Sequence, residues 1–231
     1  MNKQLLLMGC VHLGARNHAG EEYGKYLTYA KKSPSTVSLA YLGDLFDTGV
    51  PVGTRHIGSV FDNNLTPQQQ VDLFVKQVTP IKKQVVGIVK GNHEKRVEDT
   101  TSIEMLKAAA DQLGAPYNGA SGVLLWEGKK IFIAHGSSSG PMTDFNKVIA
   151  AYEGLDAVVL AHTHQLYYQK LRRFRVAEGG TVLEKGIHLI RVGSFLKDAA
   201  YARFALHPPT PIGAPILTMD NDGELSVRLG L

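Results

Sequence analysis

The chain has 231 residues, 44% of them hydrophobic and 20% charged, with a formal net charge of +4. That length suits one domain with a substantial core, and the mild charge admits an anionic ligand without the clustered basic character of a dedicated nucleic-acid binder. No apolar run approaches the ~20 residues that span a bilayer, the apolar part of the leading MNKQLLLMG is too short for a secretory signal, and the single cysteine, Cys10, excludes an internal disulfide. A cytoplasmic chain with no membrane partner is expected.

Gln4–Met8 is a short apolar run closed by glycine and reads as a buried strand. Glu21–Lys32 spaces Tyr, Leu and Lys helically and stops at Ser33-Pro34. Val37–Leu42 is a second buried strand, and Gly49–Asn64, rich in Gly, Pro, Asn and Ser, reads as a long loop. Thr66-Pro67 starts a helix, with Thr as N-cap and Pro at the first position. Val71, Phe74, Val75 and Val78 then share one face before Pro80. Val85–Val89 is a third strand, and Thr101–Leu113 a helix with Ile103, Leu106 and Leu113 on one side. Val123–Trp126 and Lys130–Ala134 flank Glu127-Gly128 as a hairpin. Asp144–Tyr152 is a short helix and Ala157–Ala161 another strand. Val182–Leu183, Ile187–Val192, Ile216–Met219 and Leu225–Leu229 are strand-like, the last two bracketing an Asn221-Asp222-Gly223 turn. Strand and helix alternate first and strands dominate later, which predicts layered α/β with two sheets.

Five strands end in polar clusters: Cys10-Val11-His12, Gly43–Asp47, Gly91–Glu94, His135-Gly136 and His162-Thr163-His164. Ligands of α/β sheets bind beyond the carboxyl ends of strands, so these side chains should share one rim. Singly, each has an ordinary structural reading. Gly-Asp is often a turn or helix cap, and a lone histidine such as His135 is more often a satisfied buried residue. Jointly they supply imidazoles, a carboxylate, a carboxamide oxygen and a thiol. Mixed N and O donors suit Mn, Fe, Zn or Ni rather than Ca or Mg alone. The donors are too many for one tetrahedral ion and suit two divalent ions sharing a carboxylate.

The order Asp-x-His, Gly-Asp-x-x-Asp, Gly-Asn-His-(Asp/Glu), His and Gly-His-x-His is the signature of calcineurin-like metallophosphoesterases. The blocks from Cys10 to His164 resemble it over about Leu5 to Gln165. The resemblance implies a four-layer α/β/β/α sandwich of two mixed sheets, a single domain over 1–231, and hydrolysis of phosphate esters by a bridging hydroxide between two metals. It implies His12 and His164 at the first metal, Asp44 bridging, and Asn92, His135 and His162 at the second. His93 would be catalytic, as a phosphate-binding group or proton donor to the leaving oxygen. Asp47 and Glu94 would orient loops and histidines. Ala161 and Cys10 depart from the pattern, standing where the family has glycine and aspartate. Cys10 is expected as a thiolate ligand of the first metal, which would favour Zn or Fe. An unligated thiol beside a weak first site, or a chain that only binds, are the other readings.

Arg16 after the first block, and Arg55 and His56 in the 49–64 loop, are candidate phosphate contacts. Lys170–Arg175, KLRRFR, is the one dense basic stretch and reads as a solvated face in preference to a nucleic-acid contact. The expected activity is a phosphoesterase that slightly prefers diesters, with nucleic acid or a nucleotide among the candidate substrates. The alternative is a phosphate- or nucleic-acid-binding module on the same fold.

Overall fold

The computed structural model describes residues 1–48, 63–137, 142–197 and 211–231. The first sheet contains β1 (Lys3–Met8), β2 (Val37–Leu42), β3 (Val85–Val89), β9 (Ile216–Met219) and β10 (Leu225–Arg228), in the order β10-β9-β1-β2-β3. Its first three strands run parallel, and β9 returns antiparallel to β1. The second sheet contains β4 (Ser121–Trp126), β5 (Lys129–Ala134), β6 (Ala157–Leu160), β7 (Tyr167–Val176) and β8 (Val182–Arg191), in the order β4-β5-β6-β8-β7. Here β5, β6 and β8 are parallel, and the edge strands β4 and β7 are antiparallel. Both sheets are mixed.

Alternation along β1 shows how the layers arise. Leu6 and Met8 join one buried cluster, Leu5 and Leu7 another, as a side-chain period of two requires. The first cluster lies under α1 (Gly20–Lys32), α2 (Pro67–Val78) and α4 (Met105–Leu113), whose Tyr23, Phe74 and Leu106 cover the sheet. The second fills the gap between the sheets, where Leu5, Leu7 and Leu42 meet Ile131, Ile133, Val159 and Ile190. A third cluster packs Phe145 of α5 (Thr143–Ala151) on Phe132, Val158 and Leu189 of the second sheet. The expected α/β/β/α sandwich is therefore the observed one. Strands covered on both faces need continuous apolar runs, and burying each Leu or Ile there contributes roughly 1.5–3 kcal/mol.

The helix expected over Thr101–Leu113 begins only at Met105, as α4, and an unexpected helix, α3 (Asn92–Thr101), precedes it and ends at Ser102, which has φ 59°. Ile103 is exposed rather than on the buried side. The sequence hides α3 because it is nearly all polar. Glu94 reaches back to accept from Gly91 N at 2.8 Å, and Lys95 pairs with Asp99 one turn on. The capping expected of Thr66 is present, with its hydroxyl accepting from Gln69 N and the Gln69 side chain accepting from Thr66 N.

The late strand-like runs also join up. Val182 through Arg191 is one strand paired along its length with β7. Its start lies beyond the Ala157 end of β6, so Arg172, Phe174, Val176 and Val182 are exposed on a projecting ribbon.

Candidate metal centre

Every donor cluster follows the carboxyl end of a parallel strand: Cys10 and His12 follow β1, Asp44 β2, Asn92 β3, His135 β5, and His162 and His164 β6. The sheets are joined at this rim by the His135 ring, whose Nδ1–H donates to Leu42 O at 2.8 Å. That bond leaves Nε2 facing the cluster. The β2 and β3 ends approach so closely that a Cβ on Gly91 would lie 2.2 Å from Asp44 Oδ1, and one on Gly43 2.4 Å from Gly91 N. Glycine is required at both places.

The backbone marks the same residues. Seven non-glycine residues among those described have positive φ, and five of them are Cys10, His12, Asp44, His162 and His164. Residues other than glycine enter this region at a cost of order 1–3 kcal/mol each, and such strain concentrates at functional sites.

Four donors form one tight group. Asp44 Oδ2 lies 3.0 Å from His135 Nε2, which is 3.0 Å from Asn92 Oδ1. Asn92 Oδ1 is 2.8 Å from His162 Nδ1, which is 3.2 Å from His135 Nε2. Ligands 2.0–2.1 Å from a tetrahedral ion would stand about 3.3 Å apart, so these spacings are close to those of a coordination shell. The second group contains His12 and His164, whose Nε2 atoms face each other at 3.2 Å. Cys10 Sγ lies within 4.8 Å of that pair, and also within 4.8 Å of Asp44 and His135 donor atoms. Cys10 is fully buried, between the two groups.

Outer contacts hold these donors. Asp47 Oδ1 accepts from His12 Nδ1 at 2.9 Å and so aims the other ring nitrogen at His164. Buried Glu94 accepts from the backbone N–H groups of Asp44, Leu45 and Phe46, besides Gly91, and so shapes the whole Asp44 loop. Asp44 Oδ1 accepts from His93 N at 2.9 Å. The His93 ring stands edge-on to His12 with centroids 4.9 Å apart, its Nδ1 3.7 Å from Asp47 Oδ1. His12, Asp47 and His93 also offer atoms within 4.8 Å of one another. The first of these imidazoles is already bonded to the carboxylate through Nδ1.

Burial, then the neighbouring His93, pushes the His12 pKa down to about 3. Burial, then His12, does the same for His164. Both rings are therefore neutral near pH 7 and present lone pairs. Burial pushes the Asp44 carboxyl up, but His135, His93 and His12 outweigh it and hold the group well below the usual range. Burial likewise opposes protonation of His135, yet Asp44 raises its pKa overall. Burial, then Asp44, raises the Cys10 thiol well above its ordinary value. It becomes a thiolate only where a cation offsets that environment.

Other candidates fall elsewhere. Arg55 and His56 lie outside the described residues. Arg16 is exposed in the turn after His12. Asn17 donates to Lys197 O, and the His18 ring bonds Val11 O, so both secure the loop that carries Cys10 and His12. The basic stretch sits far from the rim, because β7 runs antiparallel to β8 and β8 is parallel to β6. Arg172 there pairs with Glu184, and Arg173 donates to Ile149 O.

Sequence reasoning missed Ser194, Asp144 and Arg191. Ser194 Oγ and Phe195 N both donate to Cys10 O. Arg191 and Asp144 reach the His135 and His162 loops. The one available signal was an arginine inside the apolar run IHLIRV, which burial would force to find a partner.

The chain resembles several solved structures at low sequence identity. It is 18% identical to the E. coli phosphoesterase YfcE, with 98% of each chain covered and a TM-score of 0.48. It is 16% identical to zinc-complexed Vps29 from Entamoeba histolytica, covering 97% of this chain and 89% of that one, with a TM-score of 0.46. A metallophosphoesterase from Sphaerobacter thermophilus is 14% identical, covering 97% and 86%, with a TM-score of 0.44. No protein-family model and no curated protein sequence matches the chain.

Proposed function

We propose that this chain is a metal-dependent phosphoesterase of the calcineurin-like type, acting from one domain on phosphodiesters in preference to monoesters. The observation that carries the reading is the pair of donor groups meeting at Asp44 and Cys10, with five of the seven donors in strained backbone.

The donors fit divalent cations. His12, His164 and Cys10 would hold one, Asn92, His135 and His162 another, with Asp44 between them. Bound there, the cations would polarise phosphoryl oxygens and lower the pKa of water. A thiolate at Cys10 would turn the first position toward Zn or Fe.

The chain's own residues do the rest. The carbonyl of Leu42 and the carboxylate of Asp47 fix which nitrogen His135 and His12 present. His93 is anchored through its backbone to Asp44, so its ring stands beside the cluster while its N–H holds the bridging carboxylate. From there the ring binds a phosphoryl oxygen or donates a proton to the leaving oxygen. Arg16, Arg55 and His56 remain candidate contacts for the anionic substrate, a nucleotide or nucleic acid among the candidates.

Hydrolysis of bis-p-nitrophenyl phosphate with added Mn²⁺, Ni²⁺ or Zn²⁺ tests this. Metal-dependent turnover that vanishes in Asp44→Asn is expected. No turnover with any of these ions, together with tight oligonucleotide binding, would replace the enzyme by a binding module.

A further inference from the structure

Arg191 ends β8, away from any donor, yet only 1% of it is exposed. Its Nη1 donates to Ala161 O at 3.3 Å, the carbonyl immediately before His162. Its Nη2 lies 3.6 Å from Asp144 Oδ2, and its guanidinium carbon 5.2 Å from the centre of the buried Phe145 ring. Asp144 in turn accepts from Ser137 twice, at Oδ2 from the backbone N–H at 2.9 Å and at Oδ1 from the hydroxyl at 2.8 Å. Ser137 stands two residues after His135. Ala161 N closes the circuit by donating to His135 O at 2.9 Å. One buried ion pair therefore grips both loops that carry the imidazoles of the tight group.

We infer that Arg191 and Asp144 are positioning residues that set the distance between His135 Nε2 and His162 Nδ1. Through that distance they fix the affinity of the second cation. The inference rests on the proposed metal centre. It goes beyond it by assigning a task to a pair that touches no donor directly. Stability alone gives a poor reason for the pair, since a buried ion pair can often be replaced by apolar residues without loss. A fixed, planar guanidinium that contacts a carbonyl and a carboxylate together is a spacer that lysine reproduces only in part.

The test is a Mn²⁺ titration of the full chain by calorimetry, with thermal unfolding of the metal-free protein alongside. Arg191→Met and Asp144→Asn are expected to weaken the second binding event roughly 10–100-fold, as loss of a partner behind a ligand does. The first event should be unchanged and Arg191→Lys should recover part of the loss. Ser137→Ala, on the loop and unable to unhinge the core, should weaken the same event by a smaller factor and serves if Arg191→Met fails to fold. Two wild-type events of which neither changes in Asp144→Asn and Ser137→Ala would overturn the brace and leave the metal centre standing. Equal weakening of both events would also overturn it. A wild-type chain that binds no Mn²⁺ or Zn²⁺ would overturn the metal centre itself, and the brace with it.

Discussion

Asp44, Asn92, His135 and His162 stand 2.8–3.2 Å apart along a continuous chain of contacts, whereas His12 and His164 meet at 3.2 Å and Cys10 Sγ lies within 4.8 Å of donors from both groups. The tight half is secured from both sheets, through Leu42 O, Glu94 and the Arg191–Asp144 pair. The other half joins the β6 loop, which carries His164, to the β1 loop, whose Cys10 carbonyl is held by Ser194 and Phe195 and whose His12 ring is held by Asp47. Cys10, the residue that stands where the resembled pattern has aspartate, is buried between the two groups. On the proposed metal centre, the sulfur should bear on which cation is chosen, and the carboxylate and imidazoles of the tight half on how firmly one is held.

The sharpest break of this contrast is at Asp44, proposed to be shared by the two halves. Asp44→Asn should lower cation affinity in both halves, beyond the roughly 100-fold that loss of an outer partner costs. Metal content after dialysis checks it, and loss from one half alone would show that Asp44 does not bridge.

Next in size, His93→Ala should reduce turnover of the diester roughly 10²–10⁴-fold with metal content unchanged. Loss of metal in that variant would make His93 a ligand instead.

Cys10→Asp separates the halves by selectivity. Exchanging thiolate for carboxylate should move preference from Zn²⁺ toward Mn²⁺, by about 10-fold in the ratio of affinities. Competition between the two ions reads that ratio, and an unchanged ratio would place the sulfur outside the coordination shell.

Acid is a milder probe. His12 and His164 titrate near 3 in the folded chain against an ordinary 6.5. Between those values the unfolded chain binds more protons, so the metal-free fold should lose stability steadily as pH falls from about 6.5 toward 3. His135, with its raised pKa, works in the opposite sense, its contribution lost as pH rises. Thermal midpoints across that range measure the balance, and a flat profile would mean that the two rings are not buried neutral. The smallest effect is expected at the far end of the ribbon, where Arg172→Ala should leave diester turnover unchanged in a steady-state assay. A fall in turnover there would bring the ribbon into substrate binding.

Much of this was legible in the residues. Apolar runs closed by glycine gave β1, β2 and β3, because strands buried on both faces have to be apolar throughout. The polar clusters that hold His12, Asp44, Asn92, His135, His162 and His164 could be placed because each follows an apolar run. Helix α3 was hidden, since a polar helix held by Glu94 and paired charges has no apolar stripe to read. The separation of KLRRFR from the rim was equally invisible, for it depends on β7 pairing with β8 and running away from the site.

Chain order and residue type therefore determined which polar side chains follow the strands and that they sit at strand ends. Only the tertiary structure decided which donors meet. Their spacing comes from the stacking of two sheets across an apolar layer, from left-handed bends at Cys10, His12, Asp44, His162 and His164, and from long-range bonds such as His135 to Leu42. No residue type announces a left-handed bend at cysteine or histidine. Packing imposes it, and the cost is borne at the place where the donors have to converge.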